Sequence, residues 1–242
     1  MIFKFRENDI LNNGEGAPLT PIYHQLLVTQ KAINLPVCVL NIGGISNITI
    51  IKGPIGSPEI FSKDIGPGNC LIDTWVRKNS NKKFDLNGQL AARGNINEII
   101  FEQAQELYKN RNNKNKSSFD TNDFDVSFTR GLSLEDGAAT LTSFTASIIS
   151  ESIRIDLKKD APIKVLVCGG GRKNNILLNS IKNNLPDKIN LKLIDDIQIN
   201  GDFVESQAFA YLAIRSLKKL PITFPNTTKC KKPISGGEII EN

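Results

Sequence analysis

The sequence has little of several residue types on which particular functions depend. Among 242 residues it has one histidine, one tryptophan and four cysteines. No two cysteines have C-x-x-C spacing, which argues against zinc and disulfide frameworks and favours a reducing cytosol. No apolar run approaches the roughly 18 residues of a membrane span, and the start MIFKFREND is not a signal peptide. We therefore expect a cytoplasmic protein with no membrane partner and no metal ligand set of its own.

The single histidine and the distribution of basic residues argue against a serine-hydrolase triad and against nucleic-acid binding. A Ser-His-Asp triad would have to use His24, and nothing near it supports one, so we interpret it as a structural histidine. Lys and Arg number 30 against 25 Asp and Glu, and the excess is spread over loops such as 109–116 and 229–232 without interleaved aromatics. Because nucleic-acid footprints are clustered, we expect a solvated surface and no nucleic-acid partner.

Two β-branched runs flank a pair of glycines in the first third of the chain. The runs Val37 to Ile42 and Ile45 to Ile51 predict two strands, joined by a two-residue turn at Gly43 and Gly44. Tight primed turns need positive φ, which glycine adopts readily. A turn without side chains can bring backbone N–H groups close to an anion. The hairpin is therefore a candidate phosphate-binding loop.

A carboxylate follows this hairpin in a glycine-framed segment. We predict a strand from Ile60 to Asp64, then a Gly66-Pro67-Gly68 loop, then Asn69 as the N-cap of a helix. Its apolar residues are Leu71, Ile72, Trp75 and Val76. Asp64 would then lie between a strand end and a helix N-terminus, where a carboxylate can accept a proton from an attacking nucleophile. The alternative, that Asp64 only stabilises the loop, is about as well supported by an isolated D-x-G-x-G.

The rest of the chain alternates helices and strands, which predicts the α/β class. A triple glycine, Gly169 to Gly171, lies between a predicted strand and a predicted helix, so it is either a nucleotide loop or a plain tight turn. It is not G-x-G-x-x-G, which argues against a dinucleotide oxidoreductase. The remaining expected strands are Met1–Phe5, Ile163–Cys168 and Ile189–Ile194. The expected helices are Thr20–Lys31, one that begins at Asn97, one from Ser133 up to Lys158 and Lys159, one from about Asn174 to Leu185, and one from Asp202 to Leu220. The segments Asn8–Pro18 and beyond Pro225 are expected to be irregular.

Five sequence blocks, in this order, resemble a known family. They are LNIGGISNITI, KDIGPGNCLID, GLSLEDGAATLTSFTA, VLVCGGGRKN and GDFVESQAFAYLA, and together the resemblance runs from Phe5 to about Gly237. The sequence is similar to the kinases that phosphorylate 1,6-anhydro-N-acetylmuramic acid. The resemblance implies the actin-like fold of acetate and sugar kinases and heat-shock ATPases, mainly its C-terminal lobe. It also implies ATP and Mg²⁺ as cofactors, and a place in bacterial cell-wall recycling.

The resemblance also assigns roles to residues. By motif, Asp64 would be the catalytic carboxylate that activates water. The residues implied for ATP are those of the hairpin, Asn41, Gly43, Gly44 and Asn47, and those of the adenosine loop, Gly169, Gly170, Gly171 and Asn174. The residues implied for the sugar are Arg6, Gly14, Glu15, Gly16, Gly66, Gly68, Asn69 and Glu205.

The sequence departs from the family pattern in three places. The first phosphate loop of the family, G-T-S-x-D-G-x-D, is absent, Lys4 replaces the Asp of D-F-R, and Glu15 replaces the Gln of G-Q-G-A-P. We expect residues 1–35 to be a remnant of the first lobe and residues 36–242 to form the C-terminal lobe, with a helical insertion around 85–130. The partners implied are the sugar, ATP, a second copy of the chain and a separately encoded N-terminal lobe. The alternative is an inactive fragment that keeps only the fold.

Overall fold

The computed structural model describes residues 1–111, 119–157 and 163–240. Within these ranges the strands, numbered in chain order, are β1 (Ile2–Phe3), β2 (Val37–Ile42), β3 (Ile45–Ile51), β4 (Ile60–Pro67), β5 (Ile163–Cys168), β6 (Ile189–Leu193) and β7 (Glu238–Ile239). The α-helices are α1 (Glu7–Leu11), α2 (Pro21–Gln30), α3 (Cys70–Asn79), α4 (Glu98–Arg111), α5 (Leu134–Asp156), α6 (Asn175–Asn184), α7 (Val204–Leu217) and α8 (Pro225–Thr228). No helix among the described residues is both long enough and apolar enough to span a bilayer.

A five-stranded mixed sheet organises the fold. Its strand order is β4-β3-β2-β5-β6, and β1 pairs with β7 in a separate two-stranded sheet. Strand β3 pairs antiparallel with both β2 and β4. Strand β5 runs parallel to β2, and β6 runs parallel to β5. Parallel neighbours need long crossover connections, and α5 and α6 supply them. The predicted α/β class is confirmed.

Helices cover both faces of the sheet. On one face α5 and α6 pack against the β-branched side chains of the central strands, for example Ile149 on Val165. On the other face α2 and α7 pack on Val39 and Leu166. This arrangement explains why β2 and β5 are apolar on both sides, as a buried strand must be. Helices α3, α4 and α5 form a further core around Trp75.

The β2–β3 hairpin forms as predicted, but its turn does not. Neither Gly43 nor Gly44 has a positive φ. Ile42 pairs with Ser46, so three residues rather than two separate the paired positions. The prediction of a primed two-residue turn is therefore wrong, and the glycines serve a close approach to the start of α3 that is described below.

Several predicted boundaries and faces need correction. The segment Asn8–Pro18 contains α1, and the segment beyond Pro225 contains α8 and β7, because pairing between the chain ends orders both regions. Helix α4 begins after Asn97, whose Oδ1 accepts from the N–H of Ile100 at 3.1 Å, but Ile99 and Leu107 are exposed. Most of the predicted 109–116 loop lies outside the described residues, as do Lys158 and Lys159.

The start of α7 also differs from the prediction. Its N-cap is Phe203, with no side-chain cap, because the carboxylate of Asp202 pairs with Arg172 and Lys173 instead. The helix ends at Leu217, which is exposed, as is Phe209 on the same helix. The predicted bounds, Asp202 to Leu220, are therefore too wide, and the buried positions of the helix include Val204, Ala208 and Leu212.

His24 lies in the core between α2 and the sheet. Its Nδ1 is 2.9 Å from the hydroxyl of Thr49, and the residue is buried. Burial lowers its pKa to about 4, so the ring is neutral at pH 7. The histidine is structural, as its sequence context indicated.

Asp9 joins the two ends of the chain. This buried carboxylate accepts from the N–H of Gly16 at 2.8 Å and from the hydroxyl of Thr228 at 2.7 Å. The sequence analysis missed it, because it lies in a polar run that was interpreted as a loop. It fixes the 14–16 segment against α8.

Asp9→Ala should therefore destabilise the protein. Leaving two buried donors without an acceptor costs about 1 to 3 kcal/mol, which corresponds to a fall in Tm of about 2 to 10 °C for a chain of this size. Thermal unfolding followed by circular dichroism measures it. Glu7→Ala, an exposed change in the same helix, is the control and should have little effect. Equal effects of the two changes would contradict the role of Asp9.

Candidate functional site

Four polar residues form a row across the sheet at the end near the hairpin. Asp64 is opposite Asn47, Asn47 is opposite Asn41, and Asn41 is opposite Cys168, so the row crosses β4, β3, β2 and β5. Residues directly opposite each other project to the same face of a sheet, with Cβ atoms about 5 Å apart. The face is the one that α2 and α7 cover, since Val39 and Leu166 share it. Residues far apart in sequence are thus brought together.

Asp64 lies within β4 and not on a loop. The strand continues through Pro67, because an extra residue, Ile65, bulges between the pairs Asn47–Asp64 and Ser46–Gly66. Gly66 has φ +148°, and an added Cβ would lie 2.6 Å from Ile148, so only glycine fits. The predicted Gly66-Pro67-Gly68 loop is therefore wrong for its first two residues.

The carboxylate of Asp64 is held by the insertion. Its Oδ2 accepts from the backbone N–H of Phe119 at 2.9 Å, and the residue is 9% exposed. Phe119 in turn contacts the ring of Phe124, which stacks near Tyr108 of α4. The backbone of Phe119 therefore helps to orient this carboxylate, a contact that spacing in the sequence could not indicate.

The hairpin tip packs on the start of α3 through backbone hydrogen bonds. The carbonyl of Gly43 accepts from the N–H of Asn69 at 2.8 Å, and that of Gly44 accepts from Gly68 at 2.9 Å and from Cys70 at 3.1 Å. Asn69 precedes the helix as predicted, but its side chain makes no cap and lies 3.5 Å from the carbonyl of Ile42. The N–H groups of Asn69 and Cys70, at the start of α3, are thus already bonded to the hairpin.

The triple glycine lies against the same hairpin. Gly169 has φ +81°, and an added Cβ there would come within 2.5 Å of Asn41 Oδ1. A Cβ on Gly171 would lie 2.2 Å from Ile42, and one on Gly170 would be 3.9 Å from the amide of Asn69. The structure therefore brings together most of the residues predicted for ATP, and Asn69 with them.

Asn174 has a structural role in addition to any predicted one. Its Oδ1 accepts from the N–H of Leu177 at 3.0 Å and caps α6, and the residue is buried. A Cβ on Gly88 would approach this oxygen to 2.4 Å, so the insertion closes over the cap. Helix α6 therefore begins with its N–H groups partly satisfied by its own cap.

Arg172 is a site residue that the sequence analysis did not single out. It is 5% exposed, and it donates to Asp195 at 2.8 Å, to Asp202 at 3.0 Å and to the carbonyl of Gly169 at 3.1 Å. The guanidinium therefore holds the carbonyl of Gly169, the first glycine of the loop, in place. A basic residue after G-G-G was the available signal, but its two acidic partners lie 23 and 30 residues further along the chain.

The residues predicted for the sugar fall into two groups. Gly66, Gly68 and Asn69 lie next to Asp64 and the hairpin, as described above. Arg6, Gly14, Glu15 and Gly16 instead lie near α8, where Glu15 pairs with Lys229 at 2.7 Å. Exposed Glu205 is in the first turn of α7, and its charge helps to raise the pKa of Cys168, together with burial as the main cause. It therefore lies toward the Cys168 end of the row.

Two further observations concern possible metal ligands and the surface grooves. Among the described residues, no group of three or more His, Cys, Asp or Glu side chains could hold a metal ion. Two surface grooves, of about 410 and 430 Å³, lie between α5 and α6 and beside β4 and α8. Neither includes Asp64, Asn47 or the glycine loop.

We predict that Arg172→Met lowers the Tm at pH 7 by roughly 3 to 9 °C, because a buried hydrogen-bonding network loses its centre. The effect depends on pH. Arg172 lowers the pKa of Asp195 by hydrogen bonding, and Lys173 and then Arg172 lower that of Asp202. A lowered carboxyl pKa contributes stability above the ordinary value, about 3.9, and that stability is lost as the pH falls through the lower folded value.

The difference in Tm between wild type and Arg172→Met should therefore shrink below about pH 4. Thermal unfolding between pH 3 and pH 7 measures this. Arg154→Gln, at an exposed position of α5, is the control. A difference that is constant over this range would contradict the network's contribution.

Comparison with known proteins gives the family. The family model described as "Anhydro-N-acetylmuramic acid kinase" matches residues 1–242. The relative of that name from Pelagibacter ubique is 51% identical over 244 residues, covering 100% of this chain and 65% of the relative. The relative from Zymomonas mobilis is 38% identical over 237 residues, covering 97% of this chain and 62% of the relative. The chain thus spans less than two thirds of the length of these relatives.

One solved structure also resembles the chain. It is an activator of the 2-hydroxyisocaproyl-CoA dehydratase from Clostridium difficile with bound ADPNP, with 13% identity and a TM-score of 0.48 over 83% of this chain and 66% of that one. The family model matches the full 242 residues, and the chain therefore belongs to the anhydro-N-acetylmuramic acid kinase family.

Proposed function

We propose that this chain carries the water-activating and nucleotide-binding machinery of an ATP-dependent kinase acting on 1,6-anhydro-N-acetylmuramic acid. The observation that carries the proposal is the row across the sheet, in which the carboxylate of Asp64 lies at one end and Cys168, followed directly by the Gly169 to Gly171 loop, lies at the other. Membership of the family supports the substrate and the phosphoryl donor.

In the proposed reaction Asp64 acts as the general base. It takes one proton from water, whose oxygen bonds to the anomeric carbon while the bond from that carbon to the bridging oxygen breaks. The freed oxygen takes the γ-phosphoryl group of ATP, and ADP leaves. The products are N-acetylmuramic acid 6-phosphate and ADP. The hydrogen bond from Phe119 supports this role, because it orients the carboxylate before the reaction begins.

The glycine loop would hold the nucleotide. Gly169 has a φ that favours glycine, and its backbone lies beside Asn41 and the hairpin, so the phosphates could approach main-chain groups closely. Mg²⁺ typically keeps several waters and binds one or two carboxylates together with substrate phosphates. The ion would neutralise charge that develops on the phosphates.

The remaining assignments are also proposals. Arg6, Gly14, Glu15 and Gly16 would approach the sugar from the segment 1–35, Glu205 would border the cleft, and residues 36–242 would form the second lobe. The working form would be a homodimer in the cytoplasm, serving peptidoglycan recycling, with a first lobe supplied by another polypeptide segment. Because this chain spans only 65% and 62% of the length of the two relatives, the test includes a first lobe.

The decisive assay is transfer of radiolabel from the γ-phosphate of ATP to 1,6-anhydro-N-acetylmuramic acid. The purified chain is tested alone and with the separately expressed part of the Pelagibacter relative that it does not match. Each arm is run with Mg²⁺ and with a chelator. We expect Mg²⁺-dependent turnover in at least one arm. No turnover in either arm would favour the alternative, an inactive fragment that keeps the fold.

Asp64→Asn should lower kcat at least about 100-fold in the active arm, because general base catalysis is typically worth that much. The affinity for ATP, measured by isothermal titration calorimetry, should stay within about twofold, since the carboxylate lies at the far end of the row from the glycine loop. Glu59→Gln, an exposed change just before β4, is the control. Retained turnover in Asp64→Asn would remove this residue from the role.

A further inference from the structure

The side chain of Asn47 contains a buried oxygen that the fold does not use. Its Oδ1 is inaccessible to solvent and has no hydrogen-bond partner among the described residues. Buried acceptors are nearly always paired, because an unpaired one loses its hydration without compensation. An exception in a functional region therefore calls for a ligand or a water as the missing donor. Family resemblance assigns Asn47 to ATP, together with Asn41.

The register of the sheet separates these two asparagines. Asn47 is the direct cross-strand neighbour of Asp64, whereas Asn41 is one strand further away and is the neighbour of Cys168. Asn41 also faces the glycine loop, where a Cβ on Gly169 would come within 2.5 Å of its Oδ1. Asn41 is therefore on the nucleotide side of the row, and Asn47 is on the carboxylate side.

The chemistry of the proposed reaction supplies a donor for Asn47. A water molecule that attacks carbon has two O–H groups and must aim a lone pair at the carbon atom. One O–H donates to Asp64, which takes that proton. The second O–H stays on the product as part of the new anomeric hydroxyl, so it needs an acceptor that does not remove it. An amide oxygen is such an acceptor, because it accepts hydrogen bonds without taking up a proton at neutral pH.

We propose that Asn47 is a positioning residue for the attacking water and not a ligand of ATP. Its Oδ1 accepts from the second O–H while Asp64 accepts from the first, so the two neighbours fix the water in one orientation. Orientation of this kind lowers the barrier without adding charge. The inference rests on the proposed function, since it needs Asp64 as the base.

The first test is Asn47→Leu, which removes the acceptor at similar size. We expect kcat to fall about 10- to 100-fold in the active arm of the transfer assay, in line with the loss of one orienting contact. KM for ATP should stay within about twofold. The Tm should stay equal or rise, because an unpaired polar atom leaves the interior. Asn190→Leu, on the exposed side of β6, is the matched control and should change none of these.

The second test is Asn47→Asp, which places a carboxylate next to Asp64. A neighbouring like charge disfavours the ionised form, so the pKa of Asp64 rises. The acid limb of the kcat profile should therefore move to higher pH than in wild type. This shift would show that position 47 lies close enough to Asp64 to act on the group that titrates in kcat, and the role of the asparagine itself rests on the first test. Asn41→Leu gives the contrast, since it should raise KM for ATP.

The outcomes separate the inference from the function on which it rests. If wild type fails to turn over in both arms, the proposed function fails and the inference with it. If wild type is active, three results each overturn the inference alone: unchanged kcat in Asn47→Leu, a raised KM for ATP with unchanged kcat, or a fall in Tm of more than about 4 °C, which corresponds to a lost structural interaction. A lowered kcat with normal KM, normal Tm and the shifted acid limb supports it.

Discussion

The contact between the hairpin tip and the start of α3 is the constraint on which the rest of the site depends. Three backbone N–H groups, those of Gly68, Asn69 and Cys70, donate to the two glycine carbonyls of the hairpin. These bonds join the β2–β3 turn to the end of β4, so the strand that contains Asp64 cannot shift relative to the hairpin. They also use two of the N–H donors, those of Asn69 and Cys70, that a helix N-terminus would otherwise offer to an anion.

A second constraint comes from the buried charge of Arg172, which contacts the glycine loop. Arg172 is buried and lies between two carboxylates, so its positive charge is compensated within the protein. Its contact with the carbonyl of Gly169 orients the loop from the side of Asp195 and Asp202. The loop would therefore bind an anion through its backbone groups rather than through the charge of Arg172, which is already paired. A rigid backbone loop is suited to a phosphate group that must be held in one place.

The sequence predicted the elements whose signals are local. The strands β2, β3 and β5 and the buried stripe of α3 follow from β-branched runs and from helical spacing. The continuation of β4 beyond Asp64 could not be predicted, because a glycine and a proline suggest a loop, whereas the bulge at Ile65 and the backbone of Gly66 allow the strand to continue. The chain ends were likewise misjudged, since Asp9 and β7 acquire their order only from contacts across the whole chain.

The row itself depends on register, which no spacing in the sequence reveals. Asp64 and the end of β5 are separated by three strand intervals, about 14 Å at the usual spacing. In the proposed reaction a sugar ring must fit between the base and the phosphate-binding loop, and this interval leaves room for it. The two asparagines occupy the interval and differ in their neighbours, one a carboxylate and the other a glycine loop. Position along the row is thus the physical basis on which we propose a water-activating end and a nucleotide end.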